Sequence, residues 1–221
     1  MFSMSRLTLR SEDRKGRLHD FNGNVVATDR IVRNGSRALL TKMAQLVFSR
    51  HPKLPWIAYD GHTRIANFLD KTKSVLEFGS GMSTAWYAER AATVLSLEDN
   101  AEWHTKTHAS LLALGNVDHR LCKTLDEYLL AGVDEGQKFD FIMVDGTQRY
   151  DCLKAALPRL RPGGMLYLDN SDMLGDHVTG DIPAARRELF AYAAEHRHRI
   201  ETLTDFAPTQ LFVNEATILY T

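Results

Sequence analysis

The sequence predicts an α/β domain built on a seven-stranded sheet, mostly parallel with an antiparallel last strand, helices on both faces and an N-terminal helical appendage. Three observations carry this. From Lys71 onward, short apolar β-type runs alternate with segments of helical period, the rhythm of right-handed crossovers and a parallel sheet. Most of these runs end on an acid, as in Glu98, Asp145 and Asp169. The last two runs, near 198–204 and 210–219, have no helix between them and turn at Pro208, which reads as a closing hairpin.

The elements follow in order. Residues 1–33 are polar and turn-rich, with Phe21-Asn22-Gly23-Asn24 and a short hairpin predicted through Val25-Val26-Ala27. Ser36 to about Arg50 places Leu39, Leu40, Met43, Leu46 and Val47 on one face, an amphipathic helix. Pro52 and Pro55 break the chain, and a second helix runs from about Gly61 to Asp70. Strands are then expected near 74–78, 93–98, 117–122, 139–144 and 164–169, with helices near 83–91, 101–114, 124–131, 149–160 and 181–196. Pro162-Gly163-Gly164 reads as the turn before the fifth strand.

The most informative stretch is Ser74 to Thr84, an apolar strand ending in Glu77, then Gly79-Ser80-Gly81, then a helix opening at Ser83-Thr84. Glycines let a backbone approach a ligand closely, so Gly79, Ser80, Gly81 and Ser83 are expected to line a ligand site. A branched side chain at Gly79 is expected to fill that site. Glu98 ends the second strand nineteen residues after Gly79, where open α/β sheets place a carboxylate against ribose hydroxyls. With Asp99, Thr124, Asp145, Asp169 and Asn170, these strand-end residues converge on one rim. Ligands of such sheets bind there, beyond the carboxyl ends of the strands.

This set resembles the class I S-adenosylmethionine-dependent methyltransferases over roughly Lys71 to Thr221. Glu77 two residues before the first glycine, the Pro-Gly-Gly turn and the closing hairpin all match that family. The dinucleotide fingerprint of NAD enzymes is incomplete, because Thr84 stands where its third glycine would be. The resemblance implies a Rossmann-like sheet and S-adenosylmethionine as cofactor. It implies a methyltransferase domain at 71–221, with segment 1–70 covering the cofactor and acceptor rim, where Pro55-Trp56-Ile57 and Tyr59 would line the pocket. Glu77 would stand near the methionine end of the cofactor.

An Asp after the fourth strand and Asp-Asn after the fifth also resembles the catechol and caffeoyl-CoA type O-methyltransferases. That pattern implies a Mg2+ ion on Asp145, Asp169 and Asn170, hard oxygen donors suited to it. Gln148 departs from the pattern, which has a Lys at that position. Asp145 and His177 are the candidate catalytic residues, with Asp172 beside them in the loop after the fifth strand. Arg149, opening a helix at the rim, is placed to hold an anionic acceptor. His104, His108, His196 and His198 receive no role.

The expected partner is a small hydroxylated acceptor. A nucleic-acid methyltransferase is disfavoured because the fourth strand ends Val-Asp-Gly rather than in an Asp/Asn-Pro-Pro-aromatic loop. A non-catalytic cofactor-binding protein remains a third reading. Of 221 residues 44% are hydrophobic and net charge is −1, unevenly spread: twelve Lys and Arg against six Asp and Glu through Asp70, fifteen against twenty-two after it. No apolar run approaches the ~20 residues of a membrane span. Cys122 and Cys152 lack metal spacing and read as reduced thiols, so the expected location is cytoplasmic.

Overall fold

In the computed structural model, residues 15–49, 52–131, 136–172 and 181–221 are described. Seven strands, β1 (Ser74–Phe78), β2 (Thr93–Glu98), β3 (Val117–Leu121), β4 (Phe139–Val144), β5 (Leu160–Leu168), β6 (Arg199–Phe206) and β7 (Val213–Tyr220), form one sheet in the order β3-β2-β1-β4-β5-β7-β6. The first five pair in parallel, while β7 enters between β5 and β6 and pairs antiparallel with both. This inserted strand is the expected departure from an all-parallel nucleotide-binding sheet.

Before the sheet, α1 (Thr28–Arg30) passes through a π-helical turn, Ile31–Gly35, into α2 (Ser36–Phe48), and α3 (Tyr59–Phe68) precedes β1. The crossovers are α4 (Met82–Ala88), α5 (Ala101–Leu112), α6 (Leu125–Leu130), α7 (Arg149–Ala156) and α8 (Asp181–His196). Asn100 caps α5 by accepting from Trp103 N at 2.9 Å, and Thr124 caps α6 by accepting from Glu127 N at 3.2 Å.

Both faces of the sheet are covered, so its central strands are apolar without interruption. Alternation in β4 shows the two cores: Ile142 and Val144 pack with α6, α7 and α8, whereas Phe141 and Met143 pack with α3 and α4. A third cluster, Val26, Ala38, Tyr59, Phe206 and Val213, fastens the N-terminal segment to the ends of β6 and β7. There Asp205 accepts from Asp60 N at 3.0 Å and Asn34 Nδ2 at 2.7 Å, and Asp60 pairs with Arg30 and Arg33.

Three expectations are corrected. Leu39, Leu40, Met43, Leu46 and Val47 are exposed, because α2 is seated by its other side, through Ala38 and Thr41 Oγ1, which accepts from Thr209 N at 2.9 Å. The hairpin through Val25 reduces to a single bridge with His19. The Pro-Gly-Gly turn lies inside β5 as a bulge: Leu160 faces Phe139 and Met165 faces Phe141 across the shift, with Gly163 at φ +74°.

The rim takes its shape from one buried acid. Glu77 is fully buried at the end of β1. It accepts from Ser83 Oγ with one oxygen and from Thr84 Oγ1 (2.6 Å) and Ser96 Oγ (2.7 Å) with the other. Thr84 Oγ1 lies in turn 3.1 Å from the N–H of Gly81. One carboxylate thus ties β1, the glycine turn, α4 and β2 together. Burial pushes its pKa up to about 7, against the lowering pull of the three hydroxyls.

Two outcomes follow from this packing. A Cβ on Gly61 of α3 would stand 2.6 Å from Tyr167 Oη and 2.9 Å from its Cε2. Gly61→Ala should cost about 1–3 kcal/mol in urea unfolding, and adding Tyr167→Phe, which removes the nearest atom, should return part of it. For Glu77, the folded pKa lies above the unfolded 4.5, so its contribution is complete below pH 4.5 and is lost as pH rises through about 7. Glu77→Gln, which cannot ionise, should narrow its stability gap to wild type, or overtake it, across that window in chemical unfolding at stepped pH.

Candidate active site at the carboxyl rim of the sheet

A cavity of about 530 Å3 opens at the carboxyl ends of β1, β2 and β4, walled by the Gly79–Ser83 turn, Glu98 to Asn100, Trp103, Asp145 to Thr147 and Trp56. A second cavity of about 610 Å3 lies at the amino ends of the strands, beside Ser74, Thr93 and Lys138. The rim cavity is the one at the end where open α/β sheets bind ligands.

Gly79 has φ +95°, a conformation costly for any residue with a side chain. Its Cβ would meet the backbone of Gly146 at 2.9 Å, not the cavity. The expectation that a side chain there fills the ligand site is therefore corrected: the clash is with the β4 loop. At Gly81 the nearest atom to a Cβ is Ser83 Oγ at 3.8 Å, so the turn leaves open space there for a ligand to occupy.

Glu98, 5% exposed, lines the cavity. One oxygen accepts from Ser80 N (3.0 Å) and Ser80 Oγ (2.8 Å), the other from Asn100 N (2.9 Å). A carboxylate offers about four acceptor sites, so capacity is left for a hydroxyl of a ligand. Trp103 in the first turn of α5 donates from Nε1 to Ser80 O at 2.8 Å, which sets the indole against the turn. Asp99 accepts from Thr147 Oγ1, linking the β2 and β4 loops.

Asp145 has a side chain 35% exposed, toward the cavity, and is paired with Arg149 Nη2 at 2.9 Å. Its neighbour Asp169 is 4% exposed and hydrogen-bonded to it. Burial and then the charge of Asp145 push the Asp169 carboxyl well up. Burial also raises Asp145, opposed by the Arg149 guanidinium. Both carboxyls are thus pushed up, Asp169 by burial and its neighbour's charge, Asp145 by burial against the pull of Arg149.

Of the predicted residues, Gly79, Ser80, Gly81, Ser83, Glu98, Asp99 and Asp145 line one cavity. Glu77 sits behind the turn with its oxygens committed to hydroxyls, and Thr124 is exposed at the α6 cap, outside the cavity wall. Arg149 is buried and turned inward to Asp145, not outward to an acceptor. Asp172 accepts from Phe21 N at 2.9 Å, which fastens the N-terminal loop near the rim. His177 lies outside the described residues. Trp56 reaches the cavity, whereas Tyr59 is core. Trp103, Asn100, Gly146 and Thr147 were not foreseen; the Asn-x-x-Trp start of a helix after an acid-ended strand was the available signal.

A Mg2+ ion on Asp145, Asp169 and Asn170 would have to compete with Arg149, which pairs with Asp145 at 2.9 Å. That guanidinium is buried and is held by the Asp145 carboxylate and by the Asp145 carbonyl oxygen. A divalent ion there would meet a fixed like charge. A nucleoside joined to an amino acid does suit the cavity, with open space at Gly81, a carboxylate at Glu98 and an indole at Trp103.

Residues 76–171 match a family model described as a methyltransferase domain. No curated protein sequence matches. Among solved structures, the fold is similar to the O-methyltransferase TomG from Streptomyces achromogenes in complex with S-adenosylmethionine (TM-score 0.60, 19% identity, 84% of this chain and 89% of that one). It is similar also to the O-methyltransferase from Bacillus cereus in complex with S-adenosylhomocysteine (TM-score 0.57, 20% identity, 87% and 90%). An rRNA methylase from Streptococcus thermophilus shares the fold at TM-score 0.53 and 17% identity, over 74% and 95%. Among the described residues no helix is long and apolar enough to cross a membrane. Its inserted antiparallel β7 and its glycine turn at the end of β1 give the chain the fold of these methyltransferases, and residues 76–171 match the methyltransferase domain model.

Proposed function

We propose that the protein methylates a hydroxyl of a small acceptor, with Asp145 as the general base and without a catalytic metal. The observation that carries this is the Asp145 carboxylate, facing the rim cavity between Gly79 and Thr147 with the Arg149 guanidinium paired to it. S-adenosylmethionine, when bound, supplies a methyl group on a sulfonium, open to in-line displacement by the acceptor oxygen.

The chain has three tasks in such a reaction. Glu98, Ser80 and Trp103 hold the nucleoside end, and the glycine turn lets it lie against the backbone. Asp145 would accept the proton that leaves the acceptor hydroxyl when that oxygen takes the methyl group. Partial burial raises the Asp145 carboxyl and makes it a stronger base than a carboxylate in water, which favours this transfer. Arg149 keeps Asp145 ionised and aimed, and Asp169 steadies its other oxygen, so both are positioning residues. Trp56 and the segment fastened by Asp60 and Asp172 close the acceptor side.

In calorimetry the protein should bind S-adenosylmethionine or its demethylated product and not NAD; the reverse would overturn the cofactor assignment. Glu98→Ala should weaken that binding by roughly 1–3 kcal/mol. Gly79→Val should abolish it through the clash with Gly146, visible as altered circular dichroism if the turn itself collapses. With a panel of small hydroxylated acceptors, Asp145→Asn should lower turnover by roughly 10²–10⁴-fold while leaving cofactor affinity near wild type. Mg2+ added to EDTA-treated enzyme should not raise turnover. Restoration by Mg2+ would instead assign the two aspartates to a metal.

A further inference from the structure

At the edge of the sheet, away from the chemistry of the rim, three histidines meet. His104 and His108 stand one turn apart on α5, and His119 projects from β3 beneath them. One ring nitrogen from each can be chosen so that all three lie within 4.8 Å of one another. His108 Nδ1 and His119 Nδ1 are already 3.2 Å apart. Tetrahedral zinc with Zn–N bonds of about 2.0–2.1 Å needs nitrogens about 3.3 Å apart, so the rings would turn out of their present stack to face one ion.

Two details separate this group from ordinary surface histidines. His104 Nε2 and His119 Nε2 are buried without a hydrogen-bond partner among the described residues, so their lone pairs or protons are unanswered by protein. The rings of His104 and His119 stack at 4.2 Å between centroids, and those of His104 and His108 at 4.6 Å, so no other side chain lies between them. The i,i+4 pair on a helix presents two imidazoles to one side, and the strand supplies the third.

We propose that His104, His108 and His119 form a site for a divalent transition-metal ion of the zinc class, with a fourth position open to solvent on the half-buried side of His104 and His108. Neutral imidazole is the ligand such ions prefer. The ion would clamp α5 to the edge strand β3. Trp103 of the rim cavity directly precedes His104, so the clamp would also hold the first turn of α5.

The test uses the full chain stripped of metal and titrated with Zn2+ in calorimetry, with Co2+ as a spectroscopic probe. Wild type should take up one equivalent of Zn2+, gain visible Co2+ bands of a low-coordinate nitrogen site and unfold at a higher temperature with Zn2+ present. His108→Ala and, separately, His104→Gln should lose all three responses while keeping the wild-type circular dichroism. His196→Ala, in a second histidine group on α8, should keep them. Absence of Zn2+ uptake by wild type, or uptake unchanged in His108→Ala and His104→Gln, would overturn the proposal, as would its loss in His196→Ala.

Discussion

The carboxylate of Glu77 has no contact with water and three hydroxyl donors around it, and the rim depends on that arrangement. Remove it and Ser83, Thr84 and Ser96 lose their shared acceptor, and the buried hydroxyls of Thr84 and Ser96 each carry a desolvation cost of about 1–3 kcal/mol. The glycine turn would then be held by the Ser80–Glu98 contacts, the Trp103 indole on Ser80 O and the Gly79 N–H on Leu97 O. The two acids therefore act from opposite sides of the same loop. Glu77 fixes it from behind, within the sheet, and Glu98 fixes it from the front, within the cavity. A ligand that draws on Glu98 meets a turn already fixed by Glu77, and preorganisation of this kind lowers the ordering cost of binding.

At the end of β4 the electrostatics are balanced differently. Two carboxyl groups and one guanidinium are packed where water is scarce, and burial together with the charge of Asp145 pushes the Asp169 carboxyl well up. Arg149 opens α7 only four residues beyond Asp145, so the charge that pairs with this carboxylate is covalently near it. Lys would be a poor substitute, because Arg149 reaches both the Asp145 carboxylate and the Asp145 carbonyl oxygen from one nitrogen of a planar group.

Strand ends were the legible part of this chain. An apolar run of five or six residues with an acid or glycine after it locates a rim residue to within one position, which is why Gly79, Glu98 and Asp145 could be named from spacing. Side-chain direction was less accessible. Glu77 and Glu98 look alike in sequence, yet one points into the sheet and the other into the cavity. Spacing placed the apolar stripe of α2 correctly on one face, but the helix docks by Ala38 and Thr41, small residues that carry little periodic signal. Gly79 was rightly singled out for the wrong neighbour, because only the fold brings Gly146 against it. The histidines of α5 could not be grouped at all without knowing that β3 lies beneath them.

The place of β7 has a bearing on how the chain comes into being. β6 touches the sheet only through β7, yet it is synthesised first. Until residues 213–220 have left the ribosome, β6 has no ladder partner and β5 presents an open edge. The first five strands can assemble in parallel during translation, while the β6–β7 hairpin must add to a nearly finished sheet as one unit, with β7 leading. A nascent chain paused between β6 and β7 would therefore carry its most association-prone surface along β5, beside the acids that later line the rim.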